Sequence, residues 1–163
     1  MPEFSGGYTG RRLRVDLSAG RVSVEETPDV TRWLGPRGWN AQIAWEEVPP
    51  GVGPFDAQNR LVFSVGPLVG THAPTAGRMT VSTISPRGYP QPMWTSASMG
   101  GYFGSELKYA GYDSIVVQGQ ASSPCYLLIE DDAVSLELAG KKLKGQISMT
   151  IVPLKARHGQ AHQ

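Results

Sequence analysis

The chain has 163 residues and a formal net charge of +1. That length suits one domain able to bury roughly 70% of the surface its unfolded form exposes. The balanced charge excludes the basic footprint of a nucleic-acid binder, and a single cysteine, Cys125, excludes both a disulfide framework and a four-cysteine metal or iron–sulfur site made by this chain alone.

Residues 1–10 carry no periodic pattern and read as a loose lead-in. From Arg12 to Leu17 polar and apolar residues alternate as in a half-buried strand. Ser18-Ala-Gly-Arg is a hairpin turn, and Val22-Ser-Val-Glu-Glu returns as its partner. Thr27-Pro28-Asp29 reads as the start of a brief helix that Gly35-Pro36 ends. A second helix, about Trp39 to Glu47, sets Trp39, Ile43 and Ala44 on one face. Val48-Pro-Pro-Gly-Val-Gly-Pro is a loop, and Leu61-Val-Phe-Ser-Val a strand buried on both faces.

Arg78 to Ser85 alternates and predicts a strand that leads into the turn Ser85-Pro86-Arg87-Gly88. Met93 to Ser98 predicts another. Gly100-Gly101 then turns into a short helix, Glu106 to Ala110, which Gly111 stops. Ser114–Val117, Tyr126–Glu130 and Val134–Leu138 read as strands, with Asp131-Asp132 closing a hairpin between the last two. An amphipathic helix from Ser148 to His158, interrupted by Pro153, begins a helical and polar tail over residues 148–163. Strands outnumber helices throughout. The expectation is a single β-rich α+β domain over residues 1–163, in which two packed sheets carry three or four short helices. No apolar run approaches the ~20 residues of a membrane span and no secretory leader is visible, so a cytoplasmic location is expected.

The stretch from Ser98 to Asp113 organises the rest. A glycine-rich turn before a helix aims unpaired N–H groups at an anion, a plausible seat for a phosphate-bearing cofactor, although such turns are commonly structural only. Around it stand Gly66-Pro67-Leu68-Val69-Gly70-Thr71, Ala73-Pro74-Thr75-Ala76-Gly77-Arg78, Gly35-Pro36-Arg37-Gly38 and Glu47-Val48-Pro49-Pro50-Gly51-Val52. With Glu106-Leu107-Lys108-Tyr109-Ala110-Gly111-Tyr112-Asp113, this ordered set resembles the N-terminal domain of the aldehyde:ferredoxin oxidoreductase family, the tungsten-pterin enzymes. The resemblance runs from about Tyr8 to about Gly159. Met99-Gly100-Gly101 and Leu143-Lys144-Gly145 also resemble the tungsten subunit of class II benzoyl-CoA reductases, a branch of that family.

The resemblance implies a set of cofactor contacts. By itself Arg78 reads as a strand-edge arginine; the match makes it a contact to the pterin, through a forked pair of hydrogen bonds. Ser98 stands where most family members have Asn. Its backbone oxygen would lie near the magnesium that joins the two pterin phosphates, while the amide contact is lost. Gly100 would lie against the cofactor, and Gly101 would serve either the turn or the cofactor. No residue of this chain is expected to be catalytic or to ligate a metal directly.

The implied cofactor is a tungsten- or molybdenum-bis-pterin shared with a segment beyond this sequence. A [4Fe–4S] cluster would be held by cysteines further on. The implied partners are the remaining domains or subunits of the same enzyme and ferredoxin or another electron-transfer subunit. The implied activity is oxidation of aldehydes to carboxylic acids, with electrons passed to that carrier. Two alternatives stand beside it: a class II benzoyl-CoA reductase subunit, and a binding or assembly module that keeps the fold without the cofactor. His72 reads as an exposed loop histidine without convergent partners. Cys125 reads as a buried strand thiol, and Glu46-Glu47 and Asp131-Asp132 as solvated surface.

Overall fold

A computed structural model describes residues 6–27, 29–30 and 32–139. Among them, eight strands and two α-helices follow in the order β1 (Arg11–Asp16), β2 (Arg21–Glu26), α1 (Pro36–Glu47), β3 (Arg60–Val65), β4 (Met79–Ser85), β5 (Met93–Met99), α2 (Phe103–Tyr109), β6 (Ser114–Gln118), β7 (Cys125–Glu130) and β8 (Ala133–Leu138). Six strands form one sheet in the order β2-β1-β6-β3-β4-β5, and β7-β8 form a second, two-stranded sheet. Every pairing is antiparallel except that of β1 with β6. The β-rich α+β class with two sheets is therefore what the alternating, Gly- and Pro-bounded runs encode.

The two faces of the large sheet have different chemistry. Leu13, Val15, Val65, Met79 and Ile115 point to one side, where Val69, Leu107 and Tyr112 complete a core. The β7-β8 hairpin covers it with Leu127, Ile129, Val134 and Leu136. Each fully buried side chain of this size contributes about 1.5–3 kcal/mol. On the other side α1 packs on β3 and β4. There Ile43, Val62 and Val116 make a smaller apolar cluster, flanked by Trp94.

Three helix expectations are corrected. No helix occurs among the described residues between Thr27 and Gly35; a turn closes from the Trp33 N–H to the Asp29 carbonyl at 3.0 Å. Gly35-Pro36 begins α1 instead of ending an earlier helix. Gly35 adopts φ 80°, and Pro36 sits in the first turn, where its missing N–H costs nothing. α2 starts at Phe103, ahead of the expected Glu106. The predicted helix from Ser148 to His158 lies outside the described residues.

A buried carboxylate ties the elements together. Asp113 is 0% exposed. It accepts hydrogen bonds from the Thr9 N–H at 3.0 Å, the Gly10 N–H at 2.8 Å, the Thr27 hydroxyl at 2.8 Å and Lys108 Nζ at 2.5 Å. Its own N–H donates to the Arg11 carbonyl at 2.8 Å, and its carbonyl accepts from the Val65 N–H at 2.9 Å. The residues just before β1 are thereby fastened to the start of β6.

A second ionic cluster lies on the α1 side of β1. Glu47 receives both terminal nitrogens of Arg14, at 2.6 and 2.7 Å, and Nε of Arg60 at 3.0 Å. Glu25 pairs with Arg14 and Arg12. Glu47 is thus part of a network and not solvated surface as its sequence neighbourhood implies. Burial works against its charge, but the hydrogen bonds from Arg14 and Arg60 outweigh that and hold its pKa below the ordinary carboxylate value. Glu25 is lowered in the same way: burial opposes its charge, and Arg14 and Arg12 prevail.

These sites make two predictions. Asp113→Ala would leave Lys108 and two amides buried without partners, and should destabilise the chain by about 3–5 kcal/mol in thermal or urea unfolding. Because the folded pKa values of Glu25 and Glu47 lie below the unfolded value, near 4.3, their stabilisation is complete above that pH and lost as pH falls through the folded values. Acid unfolding followed by circular dichroism should therefore be shallower in Glu47→Gln than in wild type.

Candidate cofactor site

The β4-β5 ladder brings the sequence-predicted residues together. Its register pairs Thr80 with Ser98 and Met79 with Met99. One further step along the same register sets Arg78, just outside β4, across from Gly100, just beyond β5. Arg78 was expected inside the strand; it lies one residue before it. Ser98, Gly100 and Gly101 are exposed, as is Arg78. The β6-distal edge of the sheet, formed by β5, is where all four stand.

The geometry leaves room for a ligand. A Cβ placed on Gly77, Gly100 or Gly101 would meet nothing within 4 Å, so the backbone at the site is open to close approach. Gly101 also needs its φ of 103°, which carries the chain from β5 into α2. Arg78 forms no side-chain hydrogen bond or ion pair among the described residues, whereas Arg11, Arg12, Arg14 and Arg60 are each paired with a carboxylate. An uncommitted guanidinium beside an open glycine shelf suits a phosphate or a planar heterocycle edge. The same loop holds Thr75 at φ 61°, a left-handed conformation that a β-branched residue adopts at a cost of about 1–2 kcal/mol.

The helix itself plays a different part from the one its sequence implies. α2 is seven residues long with no side-chain N-cap, too short to present a substantial dipole to an anion. Gly104, expected in the turn, is inside α2 and buried. A Cβ there would lie 3.3 Å from Val65 Cγ1, 3.4 Å from Met79 Cβ and 3.5 Å from Val69 Cγ1, so this glycine lets α2 rest directly on the sheet. Its far end closes as a Schellman motif. The Gly111 N–H donates to the Lys108 carbonyl at 3.0 Å and the Tyr112 N–H to the Leu107 carbonyl at 3.1 Å, with Gly111 at φ 88°. Gly111 is the stop that the sequence indicates.

His72 is exposed in the loop before Arg78, and no group of three or more His, Cys, Asp or Glu that could hold a metal occurs among the described residues. Cys125 begins β7 and is half-buried, in the hairpin layer. Sequence reasoning missed Asn40, which is 0% exposed on α1 and hydrogen-bonded to Ser64 and Ser82. A polar residue on the inner stripe of α1, one position after Trp39, was the available signal.

Comparison with known proteins decides the family. Residues 12–163 match the family described as aldehyde ferredoxin oxidoreductase, N-terminal domain. The chain belongs to that family. It is 42% identical over 159 residues to the tungsten-containing aldehyde ferredoxin oxidoreductase of Pyrococcus abyssi, covering 96% of this chain and 26% of that protein. It is 34% identical over 139 residues to the WOR-like subunit of an aliphatic sulfonate oxidoreductase of Pyrococcus furiosus, covering 82% of this chain and 22% of that one. A solved structure, the active site complex BamBC of benzoyl coenzyme A reductase with 1,5-dienoyl-CoA, superposes with a TM-score of 0.88 at 38% identity, over 94% of this chain and 23% of that chain. The chain thus spans about a quarter of the length of the relatives it matches. No helix among the described residues is long and apolar enough to cross a membrane.

The close seating of α2 is testable. Gly104→Leu forces side-chain volume between α2 and the sheet and should destabilise the chain by about 1–3 kcal/mol. Thermal unfolding measures the loss, and an unchanged midpoint would contradict the close packing at Gly104.

Proposed function

We propose that this chain, residues 1–163, is the base domain of a cytoplasmic tungsten- or molybdenum-pterin oxidoreductase and forms one wall of its cofactor site. The observation that carries this reading is the exposed Arg78, unpaired among the described residues, beside the open backbone of Gly100 and Gly101, in a chain of a family that includes tungsten-containing relatives. Arg78 donates a forked pair of hydrogen bonds to a phosphate or the edge of the pterin. The Ser98 backbone oxygen would help to hold a magnesium ion bound with the pterin phosphates. Gly100 admits the cofactor to backbone contact, and Gly101 holds the turn that shapes the shelf. These residues bind and orient. When bound, the metal-pterin centre supplies the redox chemistry.

The remaining segment of the enzyme supplies the opposite wall and a [4Fe–4S] cluster, which one cysteine in this chain cannot ligate. The reaction read from the aldehyde ferredoxin oxidoreductases it resembles is oxidation of aldehydes to carboxylic acids, with electrons passed to ferredoxin or a similar carrier. A second reading, a class II benzoyl-CoA reductase subunit, is favoured by the superposition on BamBC and by Met99-Gly100-Gly101. Assay of the complete enzyme with aldehydes and with aromatic acyl-CoA thioesters separates the two.

Arg78→Ala in the complete enzyme should weaken cofactor retention by the value of a charged hydrogen bond, about 1.5–3 kcal/mol. Metal and pterin content of the purified variant measures it, and full occupancy would remove Arg78 from the site. The isolated chain is expected to hold no tungsten or molybdenum and to leave aldehydes and viologen dyes unreacted. Stoichiometric metal-pterin on the isolated chain would overturn the reading that it is one wall of a shared site. A complete enzyme that lacks both metals would instead favour the binding or assembly module.

A further inference from the structure

We infer that Asn40, acting through Ser82 and Ser96, is the positioning residue that sets the edge strand of the cofactor site. The inference rests on the reading of Arg78, Ser98 and Gly100 as that site. Asn40 lies on α1, which packs on β3 and β4, and its side chain is completely buried. Its Nδ2 donates to Ser82 Oγ on β4 at 2.8 Å, and its Oδ1 accepts from Ser64 Oγ on β3 at 2.6 Å. Ser82 Oγ lies 2.7 Å from Ser96 Oγ on β5. One amide therefore joins three neighbouring strands through their hydroxyls, and the last hydroxyl is two residues from Ser98 on the same face of the sheet.

The edge strand needs such a tie. Among the described residues β5 is paired on one side only, with β4. Its sequence is Met-Trp-Thr-Ser-Ala-Ser-Met, and of these Trp94 packs against the apolar cluster under α1 while Ser96, Ala97, Ser98 and Met99 are exposed. Small exposed side chains specify register weakly, because moving them along the ladder exposes or buries little apolar surface. The hydroxyl of Thr95 reaches the Thr83 carbonyl only at 3.5 Å. Ser82–Ser96 is then the short side-chain link in the half of β5 that leads to Gly100. Buried polar groups are costly unless mutually satisfied, so Asn40, Ser64 and Ser82 favour the one register in which all of them find partners. That register sets Ser98 against Thr80 and brings Gly100 across from Arg78.

The triple variant Asn40→Leu, Ser64→Ala, Ser82→Val removes the network without leaving a buried polar atom unpaired, so overall stability should be kept. Amide hydrogen exchange over residues 93–101 should nevertheless quicken by about tenfold while β1, β3 and β6 keep their protection. The complete enzyme carrying this variant should contain less tungsten than wild type at equal thermal midpoint. Should the triple variant fail to fold, Ser96→Ala cuts only the last link at an exposed position, and should raise exchange over the same residues by about threefold. Unaltered exchange over β5 in whichever of these variants folds overturns the inference, as does full tungsten content in a folded triple variant. Arg78→Ala separates the two levels. Loss of tungsten in Arg78→Ala with full loading of the triple variant defeats only the positioning role. Full loading in Arg78→Ala defeats the site reading, and exchange over β5 then decides the network alone.

Discussion

The burial of the Asp113 carboxylate is the constraint from which the placement of the site follows. A carboxylate removed from water must have its lone pairs filled, and the donors come from Thr9, Gly10, Thr27 and Lys108. These groups lie before β1, after β2 and on α2, so no local structure could bring them together. The carboxylate is satisfied only when the lead-in, the β1-β2 hairpin and α2 are all docked around the start of β6. Its worth is therefore more in specifying one arrangement than in net stability, since an apolar replacement of such a pair can be as stable.

That arrangement reaches the candidate cofactor edge through α2. Lys108 on α2 grips Asp113, and the Schellman closure at Gly111 fixes the helix end from which β6 departs. Gly104 lets the other end of α2 sit against Val65, Val69 and Met79. With both ends of α2 fixed, the turn through Gly100, Gly101 and Tyr102 has little freedom, and the shelf beside Arg78 is held by rigid elements. Catalytic and binding positions gain precision when they rest on strands and helices in this way.

Much of this was legible in the sequence, and the reasons for the exceptions are physical. β1 and β2 were visible because one face of each alternates and a Gly-containing turn joins them. β3 and β6 were visible as apolar runs because both of their faces are covered, by α1 on one side and by the hairpin layer on the other. The start of α1 was misread because Gly35-Pro36 is a stop signal and a start signal at once, and only the left-handed φ of Gly35 distinguishes them. α2 was read short because Gly104 looks like a turn residue; its absence of a side chain instead serves packing against Val65 on β3 and Met79 on β4. Asp113, Glu47 and Asn40 were unreadable as partners, since their donors lie up to 104 residues distant. The four candidate cofactor residues could be named from the family resemblance, but their meeting at one sheet edge depends on the β4-β5 register, which no local pattern states.

Charge at the β4-β5 end of the sheet is arranged differently from charge on β1 and β3. Arginines on β1 and β3 are neutralised by Glu25 and Glu47, and Arg11 by Asp132. Arg78 has no such partner among the described residues, and the β4-β5 register sets it beside Gly100 and next to the exposed Met99, with the exposed Tyr102 and Phe103 following in the chain. An exposed guanidinium that pairs with none of the described residues adds little to stability. It suits recognition, because the hydrogen bonds it can donate remain unspent and its solvent shell is easily displaced. The exposed aromatics require cover of their own, and large exposed apolar groups around a polar anchor mark a surface that another body completes. One end of the sheet thus carries both an exposed guanidinium and an apolar border, the division of labour that the proposed wall of a shared, phosphate-bearing cofactor site requires.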